Sequence, residues 1–512
     1  MRKEIKKKLH QTFINEGKLA DFRGAIALIK AHIRKDIAIC NAHNQRGQAQ
    51  AYLSQLKFDF FIDSSLLLSW MKADRTNINY LKLPLPASWI KVLNSKTHLP
   101  NRPFVQNREM FLLRMLVLSL RRLGRIFLLI RNSGEQPWQI DLLEKNQMFV
   151  IGHVKEVISS DEHVEGAWDY QSWIRTNTQT DAKVHFLPEI VFMELVLKKM
   201  SDTLHLNRII LTLRLMKRSL VRSFELFDSF YDRILCLDQI FLSELVALVG
   251  QQFDSCVQIQ FTESIGSKRP YWTYEAEKQG WEIELRFFAN YATLGTRNKF
   301  EVPPQFDFYS WSRIIVVSDW QYDLIPKRNL LGETVELTRS GLPWFQDDLS
   351  FDENKCVNAL VVFDYEPGEN HYGYSTLNDL GLASYPAQTC FRKTILSVCK
   401  ENGIKMLLKP KRWDMVKNGK LFQSMLASEG SRTRLELVPG GVSPHRIISR
   451  ALGVVSLPPT STGLIAKQML RPTIYFDPIG KVMKGDVALQ GVPILSTTEE
   501  LRLWVSSLTN VV

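Results

Sequence analysis

Most of the devices that announce a chemistry at first sight are missing from this sequence. Six cysteines (Cys40, Cys236, Cys256, Cys356, Cys390, Cys399) are scattered through 512 residues with no C-x-x-C and no paired framework. That excludes a disulfide-stapled scaffold and suits a reducing compartment. The ten histidines do not cluster with them, so no structural zinc site is expected. No uninterrupted apolar run approaches ~18 residues, so no membrane span is expected. The basic start, Met1 to Lys8, is not followed by the apolar core of a signal peptide, and a cytoplasmic protein is the expectation. Internal repeats, low-complexity tracts, zinc-finger spacing, RNP-type aromatic strands and helix-turn-helix signals are all absent, which weakens any nucleic-acid role. No DxD-like pair stands at an expected strand end, since Asp347-Asp348 falls in a polar linker; no essential metal and no cofactor are expected.

What is present describes a folded, multi-domain protein. At 59.2 kDa the chain exceeds one ordinary core, and its 45% apolar and 23% charged residues are those of a globular chain. A formal net charge of +12 favours an anionic partner: nucleic acid, an acidic membrane surface or a phosphorylated substrate.

Residues 1–232 read as a helix-rich region. Phe22 to Ile33 has helical apolar spacing, whereas Lys57 to Asp63 reads as a strand. Arg108 to Asn132 reads as a helix on which Arg114, Arg121 and Arg125 share one narrow stripe with Arg122 beside it. The stripe is either the solvent edge of a core helix or a face that meets anionic lipid headgroups. From 233 to 345 short strands alternate with helices: Arg233 to Leu237, Val257 to Phe261, Ile283 to Phe288, Ile314 to Val317 and Thr334 to Thr338 as strands, with helices at Ser243 to Gln251 and Tyr271 to Lys278. That alternation predicts an α/β sheet. Residues 346–357 read as a linker, 358–490 as a second α/β domain and 491–512 as a C-terminal helix opened by a capping box, Ser496-Thr497-Thr498-Glu499. In the second domain Ala359 to Phe363, Lys405 to Leu408, Leu435 to Val438, Gly453 to Leu457 and Thr473 to Phe476 read as strands.

Chemistry concentrates at the expected strand ends of that second domain. Pro458-Pro459-Thr460-Ser461-Thr462-Gly463 is a hydroxyl-rich turn between a strand and a helix, where backbone N–H groups and a positive dipole end can receive an anion. The same hydroxyls also suit plain helix capping. Lys409-Pro410-Lys411-Arg412 follows another strand, and a fork-shaped guanidinium beside two lysines is suited to phosphate, or is a solvated basic turn. In the first domain Glu263 and Asp238 each follow an expected strand and are candidate bases, or loop caps. His445, in a capped helix, reads as a surface residue.

Tyr271-Trp272-Thr273-Tyr274-Glu275-Ala276-Glu277-Lys278, Val362-Phe363-Asp364, Leu408-Lys409-Pro410-Lys411-Arg412 and Pro459-Thr460-Ser461-Thr462-Gly463, in this order, resemble bacterial surface-carbohydrate biosynthesis proteins, the glycosyltransferases of GT-B type that build capsule or O-antigen-like polysaccharides. The likeness covers roughly residues 233–477. It implies two Rossmann-like domains facing a cleft, a nucleotide-sugar donor in the C-terminal domain and a glycan or lipid-linked acceptor in the N-terminal domain; the strand-end residues then place Lys409, Lys411, Arg412, Thr460, Ser461 and Thr462 on the donor, and Glu263 or Asp238 as base. Some related enzymes use CMP-linked ulosonic sugars and carry a His-Pro pair; here the corresponding pair is Lys409-Pro410. A peripheral contact with an anionic membrane at its inner face and no nucleic-acid partner are expected. A basic nucleic-acid binder and a non-catalytic scaffold of a polysaccharide assembly complex remain the competing readings.

Overall fold

The computed structural model describes residues 19–39, 45–62, 81–83, 85–94, 104–131, 147–152, 183–187, 189–205, 207–252, 257–263, 268–287, 290, 309–342, 350–364, 381–382, 384–410, 434–439 and 442–509. The N-terminal part comprises α1 (Leu19–Ile39), α2 (Gln45–Ile62), β1 (Leu81–Leu83), α3 (Ala87–Asn94), β2 (Phe104–Gln106) and α4 (Arg108–Arg131). Next come β3 (Gln147–Gly152), β4 (Lys183–Leu187), α5 (Glu189–Thr203), α6 (Arg208–Leu226), α7 (Phe230–Gln252), β5 (Gln258–Glu263), α8 (Trp272–Lys278), β6 (Glu282–Phe287), β7 (Arg313–Val316), α9 (Asp319–Leu324) and β8 (Glu336–Arg339). The C-terminal part comprises β9 (Ala359–Phe363), α10 (Tyr385–Glu401), β10 (Lys405–Lys409), β11 (Leu435–Leu437), α11 (Pro444–Ser449), β12 (Gly453–Ser456), α12 (Ser461–Gln468), β13 (Thr473–Phe476), β14 (Ile494–Leu495) and α13 (Thr498–Thr509).

Two parallel six-stranded sheets with surrounding helices make this an α/β protein of two Rossmann-like domains, as expected. The first sheet runs β4-β3-β5-β6-β7-β8 and the second β11-β10-β9-β12-β13-β14. Strand β9, Ala-Leu-Val-Val-Phe, is buried along its whole length, as a central parallel strand covered on both faces must be. Helix α10 opens where the Ser384 hydroxyl accepts from the Ala387 N–H with a proline in the first turn. The box that opens α13 lies one residue later than expected. The Thr497 hydroxyl accepts from the Glu500 N–H at 3.1 Å, and the Glu500 carboxylate accepts from the Ser496 N–H at 2.8 Å.

Two strand expectations are overturned. Lys57 to Asp63 lies in α2 as far as Ile62, and Arg233 to Leu237 lies inside α7. A short apolar run is compatible with either period, and Leu235, Cys236 and Leu237 continue into Ile240, Phe241, Leu242 and Leu245, all buried. Helix α7 is apolar over most of its circumference because α2, α4, α5, α6 and α8 enclose it. Residue 233 is therefore no boundary, and the first sheet takes in β3 and β4 from earlier in the chain.

One apolar core runs through both sheets, and a smaller one joins α1, α2 and α3 to α7 through Ile33, Leu53, Trp89 and Leu235. The halves also touch where the Gln490 amide donates to the Asn290 side-chain carbonyl at 2.8 Å.

Candidate active site

The second sheet turns its strand order around between β9 and β12. Chain order proceeds from β9 to β10 and β11 on one side, then from β12 to β13 and β14 on the other. At such a reversal the loops leaving the two central strands diverge, and a crevice opens beyond the carboxyl ends. Asp364 follows β9 there, and Leu457 to Thr460 follow β12.

The hydroxyls of the β12–α12 turn form a chain. Ser456 Oγ lies 3.2 Å from Thr462 Oγ1, which lies 3.0 Å from Thr460 Oγ1. Thr460 is the N-cap residue, yet its side chain makes no capping hydrogen bond. The plain capping reading therefore does not describe Thr460, and the first N–H groups of α12 are left without a side-chain cap. Tyr475 fixes the turn from below by donating to the Thr460 carbonyl at 2.8 Å. Its ring also explains Gly463, where a Cβ would sit 2.6 Å from the Tyr475 ring.

Lys409 ends β10 and is 6% exposed. It pairs in register with Phe363, which pairs on its other side with Ser456. Residues aligned across parallel strands project to the same face, and strands lie about 4.8 Å apart. The ammonium stem and the hydroxyl chain therefore leave one rim on one face, about 10 Å apart at the backbone. Lys411 and Arg412 lie outside the described residues. His445 is buried rather than on the surface, and burial pushes its pKa down to about 4, so it carries no charge at neutral pH. On the opposite face, Arg392 of α10 pairs with Asp364 at 2.5 Å, both under 5% exposed. Sequence reasoning gave this pair no role; its signal was a carboxylate placed directly after five apolar residues.

In the first sheet the order reverses between β3 and β5. Glu263 is the last residue of β5, one step beyond the Gly152–Thr262 alignment, and so stands at that reversal. Arg286 of β6, aligned with Thr262 and 4% exposed, is a buried cation one residue in from the same rim. An arginine inside a strand reads from sequence as a solvent-facing residue, which is why it was missed.

Asp238 is not at a strand end. It sits in α7, 2% exposed, with Arg122 at 3.1 Å and Arg125 at 3.5 Å. Arg125 also reaches Glu189 at 2.5 Å, and Glu189 accepts from the Trp272 indole at 2.8 Å. Burial raises the pKa of Asp238 against the pull of the two arginines. For Glu189 burial acts in the same sense, but Arg125 and the indole outweigh it and hold the pKa below the usual carboxylate range. The cluster anchors α4 to α7 and α5 inside the first domain, leaving Glu263 as the acid at a strand end. A cavity of about 720 Å³ lies on the other side of α7, between α6, α7 and α8, with Arg214, Arg218, Arg222, Glu244, Tyr271 and Glu275 on its walls.

A family described as "Polysaccharide biosynthesis PFTS motif protein" matches residues 216–505, more than half of the chain. No curated protein sequence matches. Among solved structures, a glycosyltransferase from Rickettsia africae is similar over 72% of this chain and 89% of its own, at 9% identity and a TM-score of 0.36. A UDP-GlcNAc 2-epimerase from Methanocaldococcus jannaschii covers 71% and 92% at 9% identity and 0.35. A UDP-forming trehalose-phosphate synthase from Burkholderia vietnamiensis covers 71% and 91% at 7% identity and 0.33. Likeness at that level says nothing about the chemistry of this chain.

Proposed function

The chain belongs to the PFTS-motif family of polysaccharide biosynthesis proteins, and on that premise we propose that it is a glycosyltransferase that takes a sugar from a nucleotide donor to a glycan or lipid-linked acceptor. The observation that carries this reading is the rim of the second sheet, where Lys409 and the Ser456–Thr462–Thr460 hydroxyl chain leave the same face beside the β9/β12 reversal. A donor phosphate seated there meets an ammonium, the Ser461 hydroxyl and the uncapped N–H groups of α12. Lys411 and Arg412, next in sequence, belong to the same proposed cradle. During transfer the bond between the anomeric carbon and the phosphate oxygen breaks, and charge builds on the phosphate. Fixed donors aimed at that oxygen lower the barrier more than they stabilise the ground state. The acceptor oxygen forms the new bond as its proton passes to the Glu263 carboxylate. A CMP-linked ulosonic sugar stays within this reading, with Lys409 supplying the cation.

Thermal melting of the full chain with CMP, UDP, GDP and their sugars tests it. The cognate nucleotide at about 100 times its Kd should stabilise the protein by about 2.7 kcal/mol. Lys409→Met with Ser461→Ala should erase that stabilisation without lowering the ligand-free Tm by more than a few degrees. Glu263→Gln should keep the stabilisation and lose transfer, which separates an enzyme from a scaffold. No response to any nucleotide, or an unchanged response in the double variant, rejects the cradle.

A further inference from the structure

Helix α4 draws part of its arginine stripe inward, while Arg121 stays exposed. Arg122 and Arg125 point inward to Asp238 and Glu189, and Met115, Leu118 and Ile126 are buried with them. The face left to solvent is apolar: Met110, Leu113, Leu116, Val117, Leu120 and Leu123 are 38–59% exposed. On a helical projection these six fall within about 140° of arc, along a helix of 24 residues, about 36 Å.

Helix α6 repeats the arrangement. It packs on α7 beside α4 and touches it. Ile209, Leu213, Leu220 and Phe224, spaced i, i+4, i+11 and i+15, are 46–64% exposed and form one strip. Lys217, exposed, stands at its edge, and Arg121 lies at the edge of the α4 strip. At the α6–α7 turn Phe230 adds an aromatic at 64% exposure.

A soluble protein rarely leaves contiguous apolar faces of this length in water. Charge decides between occupants. Helices α4 and α6 carry eleven arginines and lysines against two glutamates, a net +9 of the chain's +12. Even with Arg122 and Arg125 spent on internal pairs, a second copy of the same face would bring like charges together. An anionic bilayer complements both components, because apolar side chains enter the acyl boundary while cations stay at the headgroups. Among the described residues no helix is long and apolar enough to cross a membrane. Contact lying in the interface is what two such helices can supply.

We propose that the exposed faces of α4 and α6 are a docking surface for an anionic lipid bilayer, which the first domain uses to reach an acceptor embedded in that membrane. The purpose assigned to the contact rests on the glycosyltransferase reading; the contact itself does not. Arg214 and Arg218 of α6 stand on the cavity wall, away from the apolar strip, so part of this helix's charge faces the cavity.

The test is flotation of the full-length protein with vesicles of phosphatidylcholine alone or with about one third phosphatidylglycerol, over a salt series. The protein should float with the anionic vesicles, remain below with the neutral ones, and bind less as salt rises. Leu116→Gln with Leu120→Gln, and separately Leu213→Gln with Phe224→Gln, should each cut the bound fraction about tenfold or more, given the transfer free energy of such side chains. Circular dichroism and nucleotide-induced thermal stabilisation should stay as in the parent, since all four residues face solvent. Wild-type protein that ignores anionic vesicles overturns the proposal, as do variants that bind as well as the parent. So does sedimentation showing a dimer that these substitutions split while vesicle binding is unaffected. Because nucleotide stabilisation is read separately, loss of docking and failure of the donor cradle cannot be confused.

Discussion

Gly463 and His445 each turn a local contact into a measurable quantity. At Gly463 an added methyl would overlap the Tyr475 ring, which is itself fixed by its bond to the Thr460 carbonyl. Gly463→Ala should therefore cost about 1–3 kcal/mol in urea unfolding and weaken nucleotide binding, because the shift passes directly into the hydroxyl turn. His445 is held neutral by burial, with a pKa of about 4 in the folded chain against about 6.5 unfolded. Between those values the unfolded chain binds the extra proton. The stability due to His445 is thus complete above pH 6.5 and is lost as pH falls toward 4, to the extent of about 3 kcal/mol. Urea midpoints at pH 7.5, 6 and 5 should fall in that order, and His445→Gln should flatten this part of the slope. The hydroxyl-rich turn at 460–462 could be seen in the sequence, but there it suits helix capping as well as an anion. That Thr460 and Thr462 bond to one another, with no capping bond from Thr460, depends on Ser456 and Tyr475, which no local pattern brings to them.

Among the elements, β9, β10, β12 and β13 were legible to within a residue because buried parallel strands bounded by Gly, Pro and charge have little alternative. Helix α7 was not. Its first half is an apolar run short enough to read as a strand, and only enclosure by five other helices decides the matter. The same enclosure moved Asp238 from a supposed strand end to the middle of a buried cluster. Asp238→Ala should leave Arg122 without its 3.1 Å partner and Arg125 with Glu189 alone. A cost of about 3–5 kcal/mol follows for a broken buried pair, measurable as a lowered urea midpoint. Nucleotide stabilisation, referred to the variant's own baseline, should survive, since the cluster lies in the other domain. The orientation of α4 was equally hidden: arginines on a helix read as its wet edge until carboxylates from distant elements draw Arg122 and Arg125 inward.

At the level of the whole molecule, two sheets with two reversals put Glu263 and the hydroxyl turn at the carboxyl ends of separate Rossmann-like domains. Five of the six strands of the second sheet could be read from the sequence; β14, only Ile494–Leu495, is too short to carry a pattern and falls inside the region that reads as the C-terminal helix. The extent of the first sheet could not be read, because β3 and β4 lie inside a region dominated by helical patterns. Strand order, which defines the crevice, is a property of long-range pairing and has no local signature.

Helix α13 closes the back of the second sheet, with Trp504 and Leu508 lodged where Gly453 has no side chain. Those residues are synthesised after every strand of the sheet they cover, so that sheet stays half-clad until α13 has left the ribosome. A stop codon before Thr498 would release a polypeptide with Gly453, Leu360 and the neighbouring strands uncovered, a natural client for chaperones and proteases.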